Sequence, residues 1–148
     1  MKKQKIMKWA LPALLMSATT FELMPGSVKC YAKDLAAVPE YVGYNFFTLE
    51  SESVAAACLP LAGMVTVVTM ILALVCACFK KASFYKSVSW CSLAASALTA
   101  VPYVAVSETE FIQPNVIVIL ILIGCWLAAM SLDTNKDKAE EEYQGRRL

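Results

Sequence analysis

Charge is absent from three long stretches of this chain. No Asp, Glu, Lys or Arg lies between Glu52 and Lys80, between Lys86 and Glu108, or between Glu110 and Asp133. An apolar run of about 18 residues or more is long enough to cross the hydrocarbon core of a bilayer as a helix. A helix on the surface of a soluble bundle would carry a polar stripe along one face, and these stretches have none. The apolar fraction of 59% and the mean hydropathy of +0.58 lie well above those of an ordinary soluble domain.

These stretches and the N-terminal region predict an all-α fold, a four-transmembrane-helix bundle with spans at about 6–24, 60–79, 88–106 and 114–132. The 148 residues suffice for one membrane domain, 1–132, with an exterior segment at 25–59 and a charged tail at 133–148. Pro60 and Pro114 are placed at helix entries, where a missing backbone N–H costs nothing. Pro12, the Ser17-Ala18-Thr19-Thr20 run and Glu22 dilute the first span. Lys2, Lys3, Lys5 and Lys8 before its apolar core also admit a cleaved signal peptide, although the nearest small-residue site, around Cys30-Tyr31-Ala32, lies far downstream.

Basic residues set the expected orientation, because cytoplasmic loops carry the excess of Lys and Arg. With both termini inside, 11 basic residues fall on the cytoplasmic side, and Lys29 and Lys33 alone fall outside. The reading is a multi-pass protein of the plasma membrane, N-in and C-in. The exterior segment up to residue 53 carries four acids against those two lysines and concentrates aromatics in Tyr41-Val42-Gly43-Tyr44-Asn45-Phe46-Phe47. An aromatic belt at the headgroup level is the favoured reading. The sharper alternative is a small folded cap or partner-docking surface formed by Tyr41, Tyr44, Phe46 and Phe47. The tail is charged at nine positions, with Lys136/Glu140, Lys138/Glu142 and Glu142/Arg146 at helical spacing, and reads as a helical extension of the fourth span.

Helices associate in lipid through small side chains. Ser92, Ser96 and Ala100 recur every four residues in the third span, and Gly124 and Ala128 do so in the fourth. Both faces are predicted to lie inside the bundle, with a smaller notch at Gly63 and Val67.

Little in the chain points to catalysis. It has no histidine, no phosphate-binding or nucleophile-elbow motif, and no zinc-ligand spacing. Neither metal nor cofactor is expected, and a net charge of +1 without a basic–aromatic patch argues against nucleic acid. Glu22 is the one ionisable residue within a predicted span core, and such carboxylates are functional candidates for proton or cation coupling. Its place two residues from the span end favours an interfacial position, with the carboxylate reaching back to water. Of the six cysteines, Cys30 and Cys58 fall near the exterior face, where a disulfide is possible. Cys76 and Cys78 point to different sides of one helix and cannot form a redox pair.

Phe21-Glu22-Leu23-Met24-Pro25-Gly26-Ser27-Val28 and Tyr44-Asn45-Phe46-Phe47-Thr48-Leu49 together resemble a group of uncharacterised small four-helix membrane proteins of Gram-positive, Firmicutes-type bacteria. In that group an acidic-Leu-x-Pro turn leads into the exterior loop, and an aromatic segment precedes a proline-bearing second helix, here at Leu59-Pro60. The likeness covers about the first half of the chain and implies topology without an activity. The expected function is therefore non-enzymatic: a polytopic protein whose partners are the bilayer and either a second copy or another membrane protein, as an accessory subunit of a transporter or envelope complex. The alternative is a small proton- or cation-coupled transporter using Glu22.

Overall fold

The computed structural model describes residues 2–32, 40–48, 54–79, 84–104, 112–113 and 115–145, with side chains for 6–29, 43–48, 57–79, 84–104 and 115–134. Four helices dominate it: α1 (Lys2–Leu23), α2 (Val54–Phe79), α3 (Tyr85–Val104) and α4 (Val116–Gly145). Each packs on the next and α4 returns to α1, so the bundle closes in cross-section. Among the described residues three stretches are long and apolar enough to cross a membrane, Ala57–Phe79, Tyr85–Val104 and Val116–Thr134.

Two predicted helix entries shift. Pro60 lies inside α2, which starts six residues earlier at Val54 because the Val54-Ala55-Ala56-Ala57 run carries good helix formers up to it. Pro114 lies outside the described residues. The N-cap of α4 is Asn115, whose Oδ1 accepts the backbone N–H of Ile117 at 3.0 Å. Beyond its apolar part, α4 continues as helix to Gly145.

The α1–α2 and α3–α4 connections are not plain loops. Strands β1 (Val28–Ala32), β2 (Glu40–Tyr44) and β3 (Ile112–Gln113) form an antiparallel sheet in the order β2-β1-β3. β1 and β2 come from the α1–α2 connection and β3 from the α3–α4 connection, so the sheet ties both to one end of the bundle. Val28 pairs with Tyr44 and Cys30 with Ile112.

This sheet, with the turn after it, is a folded cap seated on the helices. Met24-Pro25-Gly26-Ser27 leaves α1 in a type II turn: Ser27 N–H donates to Met24 O at 3.1 Å, and Gly26 adopts the positive φ (83°) that its third position requires. β2 crosses close over this turn, where a Cβ on Gly43 would stand 2.9 Å from the Gly26 Cα. After β2, Asn45 Oδ1 accepts the N–H groups of Phe47 and Thr48 at 2.9 and 2.8 Å, which aims Phe46 into the core.

The core combines Leu11, Leu15 and Ala18 of α1, Leu59, Ala62, Ala73 and Cys76 of α2, Val88 and Ala95 of α3, and Val118, Leu122, Cys125 and Ala129 of α4. Val28 and Phe46 join it from the cap. As predicted, α3 turns its small residues inward, with Ser92, Ala95, Ser96 and Thr99 all buried and Ala100 half-buried. The fourth span departs from its prediction. Its buried stripe is Val118, Leu122, Cys125, Ala129 and Leu132, and Gly124 is only half-buried, with open space where a Cβ would be. The small side chains of α3 already allow close approach, so α4 fills the interface with larger ones.

Candidate functional site

Glu22 does not lie at the surface. Its side chain is fully buried at the C-terminal end of α1, beneath the cap. The last carbonyls of a helix have no partner within it. Here the carbonyl of Glu22 accepts the N–H of Phe46 at 3.0 Å, and the Ser27 hydroxyl lies 3.3 Å from it and 3.5 Å from Tyr44 O. The cap therefore closes the end of α1 with its own backbone and turns the Glu22 side chain into the bundle.

There one carboxyl oxygen, Oε1, meets Thr66 Oγ1 of α2 at 2.8 Å. The same hydroxyl is 3.0 Å from Ala62 O, one turn back on α2. A hydroxyl has one proton and two lone pairs, so two arrangements fit. A carboxylate accepts the Thr66 proton; a carboxylic acid donates to Thr66, which then donates to Ala62 O. The second carboxyl oxygen, Oε2, is buried with no hydrogen-bond partner. Such a group costs about 1–3 kcal/mol, so it calls for an explanation beyond packing.

The depth of this pair follows from helix geometry. Thr66 is twelve residues past Val54, where α2 begins, which at 1.5 Å per residue is about 18 Å. Counting thirteen residues in each direction from the Glu22–Thr66 bond brings Trp9 of α1 level with Phe79 of α2, the end of that helix, with Lys2 to Lys8 beyond it. The cap reaches α2 through Phe47, whose ring lies against Gly63: a Cβ there would be 2.6 Å from the ring. Glu22, one residue from the end of α1, is thus level with the middle of α2, because α1 stops short.

Three other interior hydroxyls are bonded within their own helix. Thr69 donates to Val65 O, Ser96 to Leu93 O and Thr99 to Ala95 O, at 2.6, 3.0 and 2.8 Å. Ser92 Oγ and Tyr85 Oη, both buried, have no partner. Thr66 to Glu22, by contrast, is a side-chain bond that joins two helices. Sequence reading passed over Thr66; its signal was present, since Thr66 and Thr69 are the polar residues of α2 between Pro60 and Phe79.

The other predicted site residues separate. Phe46 is buried in the core, Phe47 is part-exposed against Gly63, and Tyr44 is half-buried in β2. The Tyr41 side chain lies outside the described residues. Cys58 is a free thiol, so the Cys30–Cys58 disulfide is not formed; the Cys30 side chain lies outside the described residues. Cys58 belongs to α2 and Cys30 to β1, which pairs with β2 and β3. Among the described residues no three Cys, Asp or Glu side chains converge as a metal site would.

Compared with known protein families, curated proteins and solved structures, the chain matches none.

Proposed function

We propose that this chain is a non-enzymatic multi-pass protein of a bacterial plasma membrane whose buried Glu22 binds and releases a proton. In this reading α1 and the cap together complete a fourth crossing, and both termini are cytoplasmic. The 11-to-2 distribution of Lys and Arg supports the orientation, and the resemblance of the Phe21–Val28 and Tyr44–Leu49 segments to the Gram-positive group supports the source.

The observation that carries the reading is the fully buried Glu22 carboxyl, with one oxygen on Thr66 and the other unpartnered. Intramembrane carboxylates are costly and serve as proton relays and ion sites. The donor set favours a proton over a metal ion: two carboxyl oxygens and one hydroxyl converge here, against the roughly six oxygens that a hard cation collects. Proton coupling to a carried solute then needs only that the cap, held to Glu22 by the Phe46 bond, shift with the state of the carboxyl.

Infrared difference spectroscopy of the reconstituted protein tests it. A pH titration should show a carboxyl C=O band that disappears in Glu22→Gln and changes frequency in Thr66→Val. A wild-type spectrum with no band lost in Glu22→Gln overturns the reading.

One observation favours a second reading, assembly with another copy or a larger membrane complex. Gly124 and Ala128 are half-buried one turn apart, and the space beside Gly124 is open, which is a suitable notch for a further helix. Crosslinking through a cysteine at Gly124 in native membranes tests that directly.

A further inference from the structure

At the end of the bundle away from the cap, α3 and α4 part to form a cleft of about 230 Å³. Lys86, Trp90 and Leu93 line it from α3, and Trp126, Met130 and Asp133 from α4. On each helix the charged residue and the deepest apolar one are seven positions apart, about 10 Å along the axis. Lys86 is the second residue of α3, and Asp133 closes the apolar part of α4. The cleft therefore has one cation and one anion at its mouth and an apolar floor that runs toward the bundle centre.

Its side is open to the surroundings of the bundle, since Trp90 is 65% and Met130 46% exposed. Tryptophan at this level and a lysine beside it are typical of the membrane–water boundary. The volume is below the roughly 300–1,000 Å³ of pockets that enclose a whole small molecule. Such a cleft takes part of a longer amphiphile, with the rest in the bilayer.

We propose that this cleft binds a phospholipid with an ethanolamine headgroup, its phosphate on Lys86, its ammonium on Asp133 and the start of one acyl chain between Trp90 and Trp126. Charge complementarity selects the class. An anionic lipid satisfies Lys86 and is repelled by Asp133. A choline lipid has no N–H to donate to Asp133. An ethanolamine lipid satisfies both charges with hydrogen bonds, which are the stronger, charge-assisted kind.

Native mass spectrometry of the whole chain with equal amounts of phosphatidylethanolamine, phosphatidylglycerol and phosphatidylcholine of the same acyl chains tests the proposal. Wild type should retain the ethanolamine lipid preferentially, and Lys86→Gln should weaken it on the order of tenfold, the effect of one lost charge-assisted hydrogen bond. Asp133→Asn should move the preference to phosphatidylglycerol. Equal retention of all three lipids, or an unchanged preference in Asp133→Asn, overturns the proposal. A second measurement does not depend on those variants. Of the three tryptophans, only Trp9 lies outside the cleft. In vesicles, a Trp9→Phe protein should be quenched more by brominated ethanolamine lipid than by brominated glycerol lipid, and equal quenching also overturns it.

Discussion

Replacing Glu22 with Met separates a functional carboxyl from a structural one. Met has a similar length, no charge and enough flexibility to fill the space. The change removes the Oε1–Thr66 bond, whose net value is about 1 kcal/mol, and nearer 0.6 in membrane-protein measurements. Thr66 is not orphaned, because its hydroxyl still has Ala62 O at 3.0 Å. The change also removes the unpartnered Oε2, which costs about 1–3 kcal/mol where it stands. The net is a gain of about 1 kcal/mol, or a midpoint about 2–4 °C higher for a chain of this size. Thr66→Val acts in the opposite direction: it leaves the whole carboxyl without a partner and should cost about 1–2 kcal/mol. In the double variant that cost should vanish, giving a coupling of about 1 kcal/mol or more. The buried free thiols Cys76 and Cys125 supply the assay, since a thiol-reactive fluorophore reaches them only on unfolding, after the exposed Cys78 has reacted. If Glu22→Met lowers stability by more than about 2 kcal/mol, the carboxyl is a structural tie and the reasoning fails.

Two further outcomes test the cap and the topology. Gly26→Ala should cost about 1–2 kcal/mol for its left-handed backbone, and Gly43→Ala, whose Cβ would press on the Gly26 backbone at 2.9 Å, about 1–3 kcal/mol, both read as midpoints in the same thiol assay. In a cysteine-free background, Thr48→Cys in the cap should react with an impermeant maleimide on intact cells, and Ser87→Cys at the start of α3 only in inverted vesicles; the reverse pattern would refute the N-in orientation.

The helices were legible because their signal is local. Charge-free runs of sufficient length define α2, α3 and α4 whatever their neighbours do, and the four-residue recurrence of Ser92 and Ser96 correctly marks the inner face of α3. The cap was less legible, since β1, β2 and β3 are short and pair across segments distant in sequence. Period and propensity say little about strands of two to five residues that acquire stability only on a bundle. Gly124 misled for another reason: a small residue permits a close contact without requiring one. Glu22 was recognised as chemistry and then placed at the surface, because a helix end was equated with the edge of the apolar layer.

In the proposed reading that equation fails because a re-entrant segment occupies the rest of the layer beyond α1. Pro25-Gly26 reverses the chain two residues after Leu23, Phe46 returns to cap the helix, and Phe47 seats against Gly63. Irregular backbone at such depth is tolerated where protein buries it, and here the cap bonds to the helix end that it covers. At the boundary, solvation would satisfy both carboxyl oxygens. A shorter helix under a sheet holds the carboxyl in the interior, and Phe46, also buried, bonds through its N–H to the backbone carbonyl of the same residue. In the proposed reading, that bond couples the seating of the cap to the state of Glu22, as a gated proton site requires. Loosening the cap with Gly43→Ala should therefore speed the deuteration-induced shift of the Glu22 infrared band. An exchange rate equal to wild type would separate the cap from the carboxyl and remove the gate from the mechanism.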